Sequence, residues 1–547
     1  MSEIHSVDMR GATRQGRFPV YILLAVAAFY LGSRLTHLTV LPIFNDEAVY
    51  LHWAQMARED FSNLWISILT DNKKPLTTWL LALSLNLSHD PLWAGRTVSV
   101  VAGFFSLIGV YQIGRHLGSP RVGALAAFLY IVSPYHLFFD RMVTEFGLLN
   151  CFFVWTVWLT LALFQKGAEP KPFHYRLLAF LVGFGLLTLS TAVLFVFLPI
   201  AFKWAFLNDR RGPPWKPLLI AYAAGLAVGL FPFVILSSEL HDLTLKSYFI
   251  PRQHSLGQEN IFHLLLGIPL KAAANLRTLL EYFTGYLTWP ICLLAALLPV
   301  LRFKTLNVNR EGLILSVYFL LPAFVLLGTA GQGFSRYYLF CATPLLWWAA
   351  LSLARVWEAL PKKLSARTRS AVFALLLFSS IFPAAKFDYA LITQPETAPF
   401  IDTDRYQYVG SQFSGYGVPE AVAFLREMAT DQKITVFTTS NWGNPADAVR
   451  VYLSDHPNID IYMAYWMFQR PLLPAEAKTI WLYQPFTGKL LKELNIGDLT
   501  EVYFIRRTSP GFKRDLFIRA NPNFKMVRAF RKPGSVFFVE IYKWRGY

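Results

Sequence analysis

Residues 19 to 49 read PVYILLAVAAFYLGSRLTHLTVLPIFNDEAV. About twenty mostly apolar residues end in a short turn and run at once into two adjacent carboxylates, Asp46 and Glu47. A helix rising ~1.5 Å per residue needs about 20 residues to cross a hydrocarbon core of ~30 Å. The run therefore predicts a membrane span with an acidic pair at its exit. Working outward, the pattern recurs at 96–113, 122–139, 146–164, 178–207, 217–236, 281–301, 313–330, 337–357 and 371–389. The stretch 178–207 is too long for one span, and Ser190 with Thr191 interrupts it, so it predicts two short helices. The expected total is eleven crossings.

Composition excludes an ordinary soluble enzyme, since 54% of the chain is hydrophobic and 16% charged, against roughly 25% charge in soluble domains. The net charge of +17 does not imply nucleic acid here, because the basic residues gather in short loops between spans. With the N-terminus inside, the inner segments hold 18 Lys plus Arg, and the longer outer loops hold fewer. That bias places the N-terminus in the cytoplasm and the C-terminus outside an inner or plasma membrane. Residues 1–18 carry Arg10, Arg14 and Arg17, with no small-residue cleavage site after them, and read as an uncleaved signal anchor. Cys151, Cys292 and Cys341 lie in apolar runs without framework spacing, so no disulfide or cysteine metal site is expected.

The fold expected is an all-α polytopic bundle over residues 1–390, followed by a soluble outer α/β domain over 391–547. The composition changes there, with 34 charged residues in the last 157 against 51 in the preceding 390. The pattern predicts helices at 419–428 and 446–453, and strands at 434–438, 459–463, 479–483, 502–506, 525–530 and 535–542. The last two flank the turn Lys532-Pro533-Gly534. In the first outer loop, 39–92, short surface helices are expected at 47–58 and 61–70, and an interfacial or re-entrant helix at 76–87. Another interfacial helix is expected at 261–280.

Ionisable residues concentrate in the outer loops. Asp46 and Glu47 fit two readings: caps on the following helix, or a partly desolvated general base that takes a proton from an acceptor. Lys73 and Lys74 stand where a lipid phosphate would sit, or snorkel to headgroups. The segment Asp140-Arg141-Met142-Val143-Thr144-Glu145 is either an ion-pair network or part of a site. Arg336, beside Tyr337 in the last outer loop, is a phosphate clamp or a headgroup anchor. Gly331-Gln332-Gly333 lacks the strand and third glycine of a dinucleotide fingerprint. No histidine pair has zinc spacing. Trp442, Tyr465, Trp466 and Phe468 are candidates for an acceptor surface.

The order Asp46-Glu47, Lys74-Pro75, Ser133-Pro134-Tyr135-His136 leading into Asp140-Arg141-Met142, then Arg336-Tyr337 with Pro344, resembles the GT-C glycosyltransferases. Within them it resembles the protein O-mannosyltransferase and aminoarabinose transferase superfamily. The resemblance implies an inverting transferase at the outer face. It would move a sugar from a polyprenyl-phosphate donor to a lipid, glycan or protein acceptor. Asp46 would be the catalytic carboxylate, with Lys74 and Arg336 on the donor phosphate. Glu47, Lys73, Arg141, Glu145 and Tyr337 complete the expected substrate-binding set.

Three departures stand out. The family's Glu-Lys-Pro-Pro is Lys73-Lys74-Pro75-Leu76 here; its Thr-Lys-Gly-Pro is Leu189-Ser190-Thr191-Ala192; and Glu145 follows Arg141 by four positions where the family has five. No cofactor is expected and no nucleic-acid partner. The paired lysines would replace a divalent cation, although an ion bridging Asp46 or Glu47 to the phosphate is the other possibility. A non-catalytic lipid-handling or transport protein is the alternative class. Transporters place their ionisable residues in broken helices near the midplane, whereas here they lie in outer loops.

Overall fold

The computed structural model describes residues 20–165, 169–206, 212–237, 261–303, 310–329, 333–361, 363–439, 443–464, 479–483, 490–495, 499, 501–508 and 514–545. The chain opens with α1 (Val20–Leu35), followed by a loop cluster of α2 (Asn45–Glu59), α3 (Ile66–Asp71) and α4 (Leu76–Ser84). At nine residues, α4 is too short to span, as its sequence predicts. Then come α5 (Pro91–Leu117), α6 (Pro120–Ile131), α7 (Pro134–Asp140) and α8 (Glu145–Leu163). Asp90 starts α5 by accepting hydrogen bonds from the amides of Leu92 and Trp93 at 2.9 and 3.2 Å, with Pro91 in the first turn. Ser119 and Pro120 start α6 in the same way. Pro134 disfavours helical geometry at Ser133, and α6 and α7 meet there at 64°.

The helical part continues with α9 (Pro172–Thr188), α10 (Val193–Val196), α11 (Leu198–Ala205), α12 (Trp215–Ser237), α13 (Ile261–Tyr282), α14 (Trp289–Phe303), α15 (Arg310–Thr329), α16 (Leu339–Ala359) and α17 (Ala366–Thr393). The break after α9 falls at Ser190 and Thr191, as expected. Where α9 crosses α12 the backbones approach closely: a Cβ on Gly225 would come within 2.7 Å of the Ala179 carbonyl oxygen. Small residues permit this kind of packing between membrane helices. The buried apolar core runs through α5, α6, α8 and α16, with Leu107, Tyr130, Phe153 and Trp347 among its members.

Helices stand at all eleven expected places, but the crossing count differs. Among the described residues seven helices are long and apolar enough to cross a membrane, or eight if α6 and α7 form one bent span. Helical runs at Leu24–Leu35, Pro172–Thr188 and Ser190–Ala205 are shorter. The separate interfacial helix at 261–280 is also corrected. There α13 continues through a π-helical segment, Phe283–Thr288, into α14, so an apolar window runs over Lys271–Leu297. A wider helical turn absorbs the irregularity that looked like a boundary.

Beyond α17, the short helix α18 (Asp402–Arg405) and the π turn Tyr406–Gly410 pack on the bundle, with Phe400, Tyr408 and Val409 in its core. Then follow α19 (Val418–Met428), β1 (Ile434–Thr439), α20 (Ala446–Leu453), β2 (Ile459–Ala464), β3 (Thr479–Tyr483), β4 (Leu490–Asn495), β5 (Val502–Arg507), α21 (Arg514–Ala520), β6 (Phe524–Arg531) and β7 (Phe538–Trp544). The main sheet has the order β2-β1-β5-β7-β6. β1 is parallel to β2 and β5, while β7 is antiparallel to β5 and β6. β3 and β4 pair separately. Each predicted strand is present; β4 and α21 are additional, and β7 begins three residues later than its pattern suggested.

Two asparagines fasten this region to the start of α2. Asn444 Nδ2 donates to the carbonyl of Ile43 at 2.8 Å, and Arg507 Nη1 donates to Asn45 Oδ1 at 3.1 Å. Gly443 lies at φ +81°, and a Cβ there would overlap the Asn45 amide. Further along α2, His52 pairs with Asp447 at 2.6 Å and Gln55 donates to the carbonyl of Val451 at 3.0 Å.

Candidate active site

The N-terminal turn of α2 presents Asp46 and Glu47 in different directions, because successive helical residues are ~100° apart. Glu47 turns inward and is fully buried. Its two oxygens receive the Arg96 guanidinium at 2.9 and 2.7 Å, and also the amides of Phe44 and Val143, each at 2.8 Å. Arg96 further donates to the carbonyls of Leu38 and Leu41. The Phe44 bond is a helix cap, so for Glu47 the capping reading describes the geometry, with an ion pair to α5 added.

Asp46 faces the other way and is about a third exposed; its Oδ2 lies 3.5 Å from Arg336 Nη2. Arg336 sits in the 3-10 turn Ser335–Tyr338 at the head of α16 and donates through Nη1 to Gln407 Oε1 at 2.8 Å. Its guanidinium lies 4.5 Å from the ring centre of Phe334 and 5.4 Å from that of Tyr337. Tyr337 in turn packs on Phe146, with centroids 5.4 Å apart. Arg336 thus lies against two aromatic rings, with Nη2 toward Asp46.

Lys73 and Lys74 diverge as sharply as the carboxylates. The Lys73 ammonium donates to Tyr50 Oη at 2.8 Å and to Glu145 Oε1 at 3.1 Å. Burial pulls its pKa down, but Glu145, Tyr50 and Asp46 overcome this and hold it well above the ordinary lysine value. Lys74 is 3% exposed, and burial lowers its pKa to about 7. Near it in the chain, the hydroxyls of Thr77 and Thr78 in the first turn of α4 are buried without a protein hydrogen-bond partner.

Arg141 stands apart from the Asp46 cluster. Its guanidinium donates to the backbone carbonyls of Ser33, Arg34, Thr36 and His37, closing the end of α1. Asp140 pairs with Arg34 at 3.3 Å and accepts from the Tyr30 and Tyr130 hydroxyls. These are interior cross-links, the ion-pair reading of that segment. The structure therefore groups Asp46, Lys73, Glu145, Arg336 and Tyr337, sets Lys74 beside Lys73 in the chain, and commits Glu47 and Arg141 to holding the backbone.

Sequence reasoning missed Tyr50, Arg96, Gln407 and Asn45. Tyr50 had a signal, since it follows Asp46 by four residues on one helix and shares its face. Arg96, a lone cation opening an apolar run, was a second. Gln407 lies more than seventy residues from Arg336 and carried none. Trp442, Tyr465, Trp466 and Phe468 lie outside the described residues. Among the described residues no group of three or more His, Cys, Asp or Glu could hold a metal ion.

Residues 72–237 match the family model described as dolichyl-phosphate-mannose-protein mannosyltransferase. No curated protein matches the chain by sequence. The crystal structure of ArnT from Cupriavidus metallidurans in the apo state aligns with a TM-score of 0.60 at 12% identity, over 96% of this chain and 97% of that one. The same protein bound to undecaprenyl phosphate aligns at 0.59, with the same identity and coverage. The Archaeoglobus fulgidus oligosaccharyltransferase in complex with Zn and sulfate aligns at 0.51 and 14% identity, over 79% of this chain and 61% of that one. At these identities the likeness establishes the fold, which is that of the GT-C glycosyltransferases.

Proposed function

We propose that this GT-C chain is an integral-membrane glycosyltransferase that moves a sugar from a polyprenyl-phosphate donor to an acceptor, with inversion, at the outer face. The observation that carries the reading is the Asp46–Arg336 pair, 3.5 Å apart, with the Lys73 ammonium near enough to interact electrostatically with Asp46. A carboxylate able to accept a proton stands beside cations able to accept a phosphate. The family-model match and the undecaprenyl phosphate recorded on ArnT support the donor class.

In the proposed reaction the acceptor hydroxyl or amine attacks the anomeric carbon from the side opposite the phosphate. Its proton passes to Asp46, the new glycosidic bond forms, and the bond from the anomeric carbon to the phosphate oxygen breaks. Polyprenyl phosphate leaves with the electron pair. Arg336 and Lys74 neutralise the charge gathering on that oxygen, an electrostatic effect strongest where water is excluded. Arg336 has two partners in turn: Asp46 in the resting enzyme, and the phosphate when the donor is bound. Donor binding then frees Asp46 to act as base. Lys73, tied to Tyr50 and Glu145, fixes the wall of the site. In this reading the orientation follows the loop charges, with the N-terminus in the cytoplasm and the sheet region outside, and the lysines make a divalent cation unnecessary.

The test is release of polyprenyl phosphate from a panel of polyprenyl-phosphate-sugars by the purified protein supplied with native membrane extract. Release that disappears in a folded Asp46→Asn variant is the expected result, and the donor consumed identifies the sugar. Release that persists in the variant removes Asp46 as base. No release with any donor favours the lipid-handling alternative.

A further inference from the structure

The turn that follows the last long helix touches both halves of the reaction site. After α17 the chain runs through α18 into the π turn Tyr406–Gly410, closed by the Ser411 amide donating to the Tyr406 carbonyl at 2.7 Å. Such wide turns recur at functional sites. Tyr406 is exposed, whereas Gln407, Tyr408 and Val409 are buried against the bundle. Gln407 reaches Arg336 at the head of α16, and the Tyr408 ring packs on Phe44 with centroids 4.5 Å apart. Phe44 immediately precedes α2 and lies two positions before Asp46. One turn thus braces both members of the Asp46–Arg336 pair.

The two contacts of the guanidinium differ in kind. Nη1 donates to Gln407 Oε1 at 2.8 Å, an ordinary hydrogen-bond length, while Nη2 stands 3.5 Å from Asp46 Oδ2, a looser contact. A guanidinium only donates, so the amide must present its oxygen. Gln407 is 7% exposed and Asp46 about a third exposed. The firm partner is therefore interior and neutral, and the loose one is outward and charged. The hydroxyl of Tyr408, also neutral, acts on the same guanidinium. Asp404 attracts it too, but Oδ2 of that carboxylate is bound by the Tyr286 hydroxyl at 2.7 Å. An amide oxygen fixes the direction of a cation without cancelling its charge, whereas a carboxylate at the same distance would do both.

We propose that Gln407 is a positioning residue of the transferase, its neutral amide anchoring Arg336 by one edge so that the other edge stays charged and free to exchange Asp46 for the donor phosphate. The proposal rests on the transferase reading, which gives Arg336 the phosphate, and adds the residue that aims it. A carboxylate in place of Gln407 would hold Arg336 in a permanent ion pair and compete with the phosphate. An aliphatic side chain there would leave Nη1 without this acceptor and the guanidinium free to turn.

The test measures binding of a short-chain polyprenyl phosphate, and of the matching polyprenol without phosphate, to the purified full-length protein in detergent at one fixed pH. Wild type is compared with Gln407→Glu, Gln407→Leu and Arg336→Ala. Polyprenyl phosphate should bind Gln407→Glu at least about tenfold more weakly than wild type, and Gln407→Leu severalfold more weakly, while polyprenol binds all of them alike. In release assays the loss should fall on donor KM more than on kcat, because binding of the ground-state phosphate is what is weakened. Gln407→Leu is uncharged and close in size, so it decides the matter if Gln407→Glu does not fold. Full phosphate affinity in either folded variant, or a loss shared equally by polyprenol, would overturn the proposal. Arg336→Ala separates it from the reading beneath it. Phosphate affinity lost there, with none lost in the Gln407 variants, removes Gln407 alone. No loss in Arg336→Ala, or a wild type that binds no polyprenyl phosphate, removes both.

Discussion

Lys74 offers a test in which the pH dependence can be worked out in advance. Burial lowers its pKa from 10.5 to about 7, an order-of-magnitude cost of about 5 kcal/mol at ~1.4 kcal/mol per pH unit. The sign follows from proton uptake. The folded chain holds this proton less tightly than the unfolded chain, so the destabilisation is full below pH about 7 and fades as pH rises toward 10.5. A donor phosphodiester opposes that cost by pairing with the ammonium, and it needs Lys74 charged. Because a phosphodiester keeps one negative charge throughout, donor affinity should be flat below pH about 7 and fall about tenfold for each pH unit above it. Lys73 does not confuse the result, since Glu145, Tyr50 and Asp46 hold it protonated across this range. The assay is binding of a non-reactive phosphonate analogue of a polyprenyl-phosphate-sugar from pH 6.5 to 9, to wild type and to Lys74→Arg. Arginine stays charged, so the variant should bind with little pH dependence. An equal slope in Lys74→Arg, or no slope in wild type, would refute the assignment of Lys74 to the donor phosphate.

Three further outcomes are expected. Asp46→Asn should lower turnover about 10²–10⁴-fold, the usual span for losing a general base, with unchanged thermal unfolding; a drop below tenfold would argue against proton transfer to this residue. Glu47→Ala should instead act on stability, by about 3–5 kcal/mol, because it leaves Arg96 buried without its carboxylate; a normal melting temperature with lost activity would reverse the roles given to the two carboxylates. Gly443→Ala should push the Asn45 amide, which the new Cβ would overlap, and so displace the start of α2. Turnover should then fall more than global stability, and an unaffected rate would show that the sheet region does not set the position of Asp46.

Much of the architecture was legible from local rules. Bilayer thickness fixes the length of a span, so α5, α8, α12, α15, α16 and α17 announced themselves, and the alternation in residues 434–438 and 502–506 marked β1 and β5. Segments shortened by bends were not decided by that rule. The angle between α6 and α7 and the π-helical join of α13 to α14 depend on what each packs against. β4 and α21 carried too few residues of clear period to be recognised.

The site divides along the same line. By itself the sequence determined which residue types stand at the exits of the spans: two carboxylates, two lysines, an arginine with a tyrosine. It did so because charge is costly inside a bilayer and is therefore confined to positions where water or a partner is near. What it could not determine is which member of each adjacent pair takes which job. Asp46 and Glu47 are neighbours in the chain but ~100° apart on the helix, so one meets Arg336 and the other meets Arg96. Lys73 reaches Glu145 while Lys74 is buried beside the start of α4. These partners come from segments tens to hundreds of residues away, and only the packing of α2 against α5, the head of α16 and the sheet region brings them within reach.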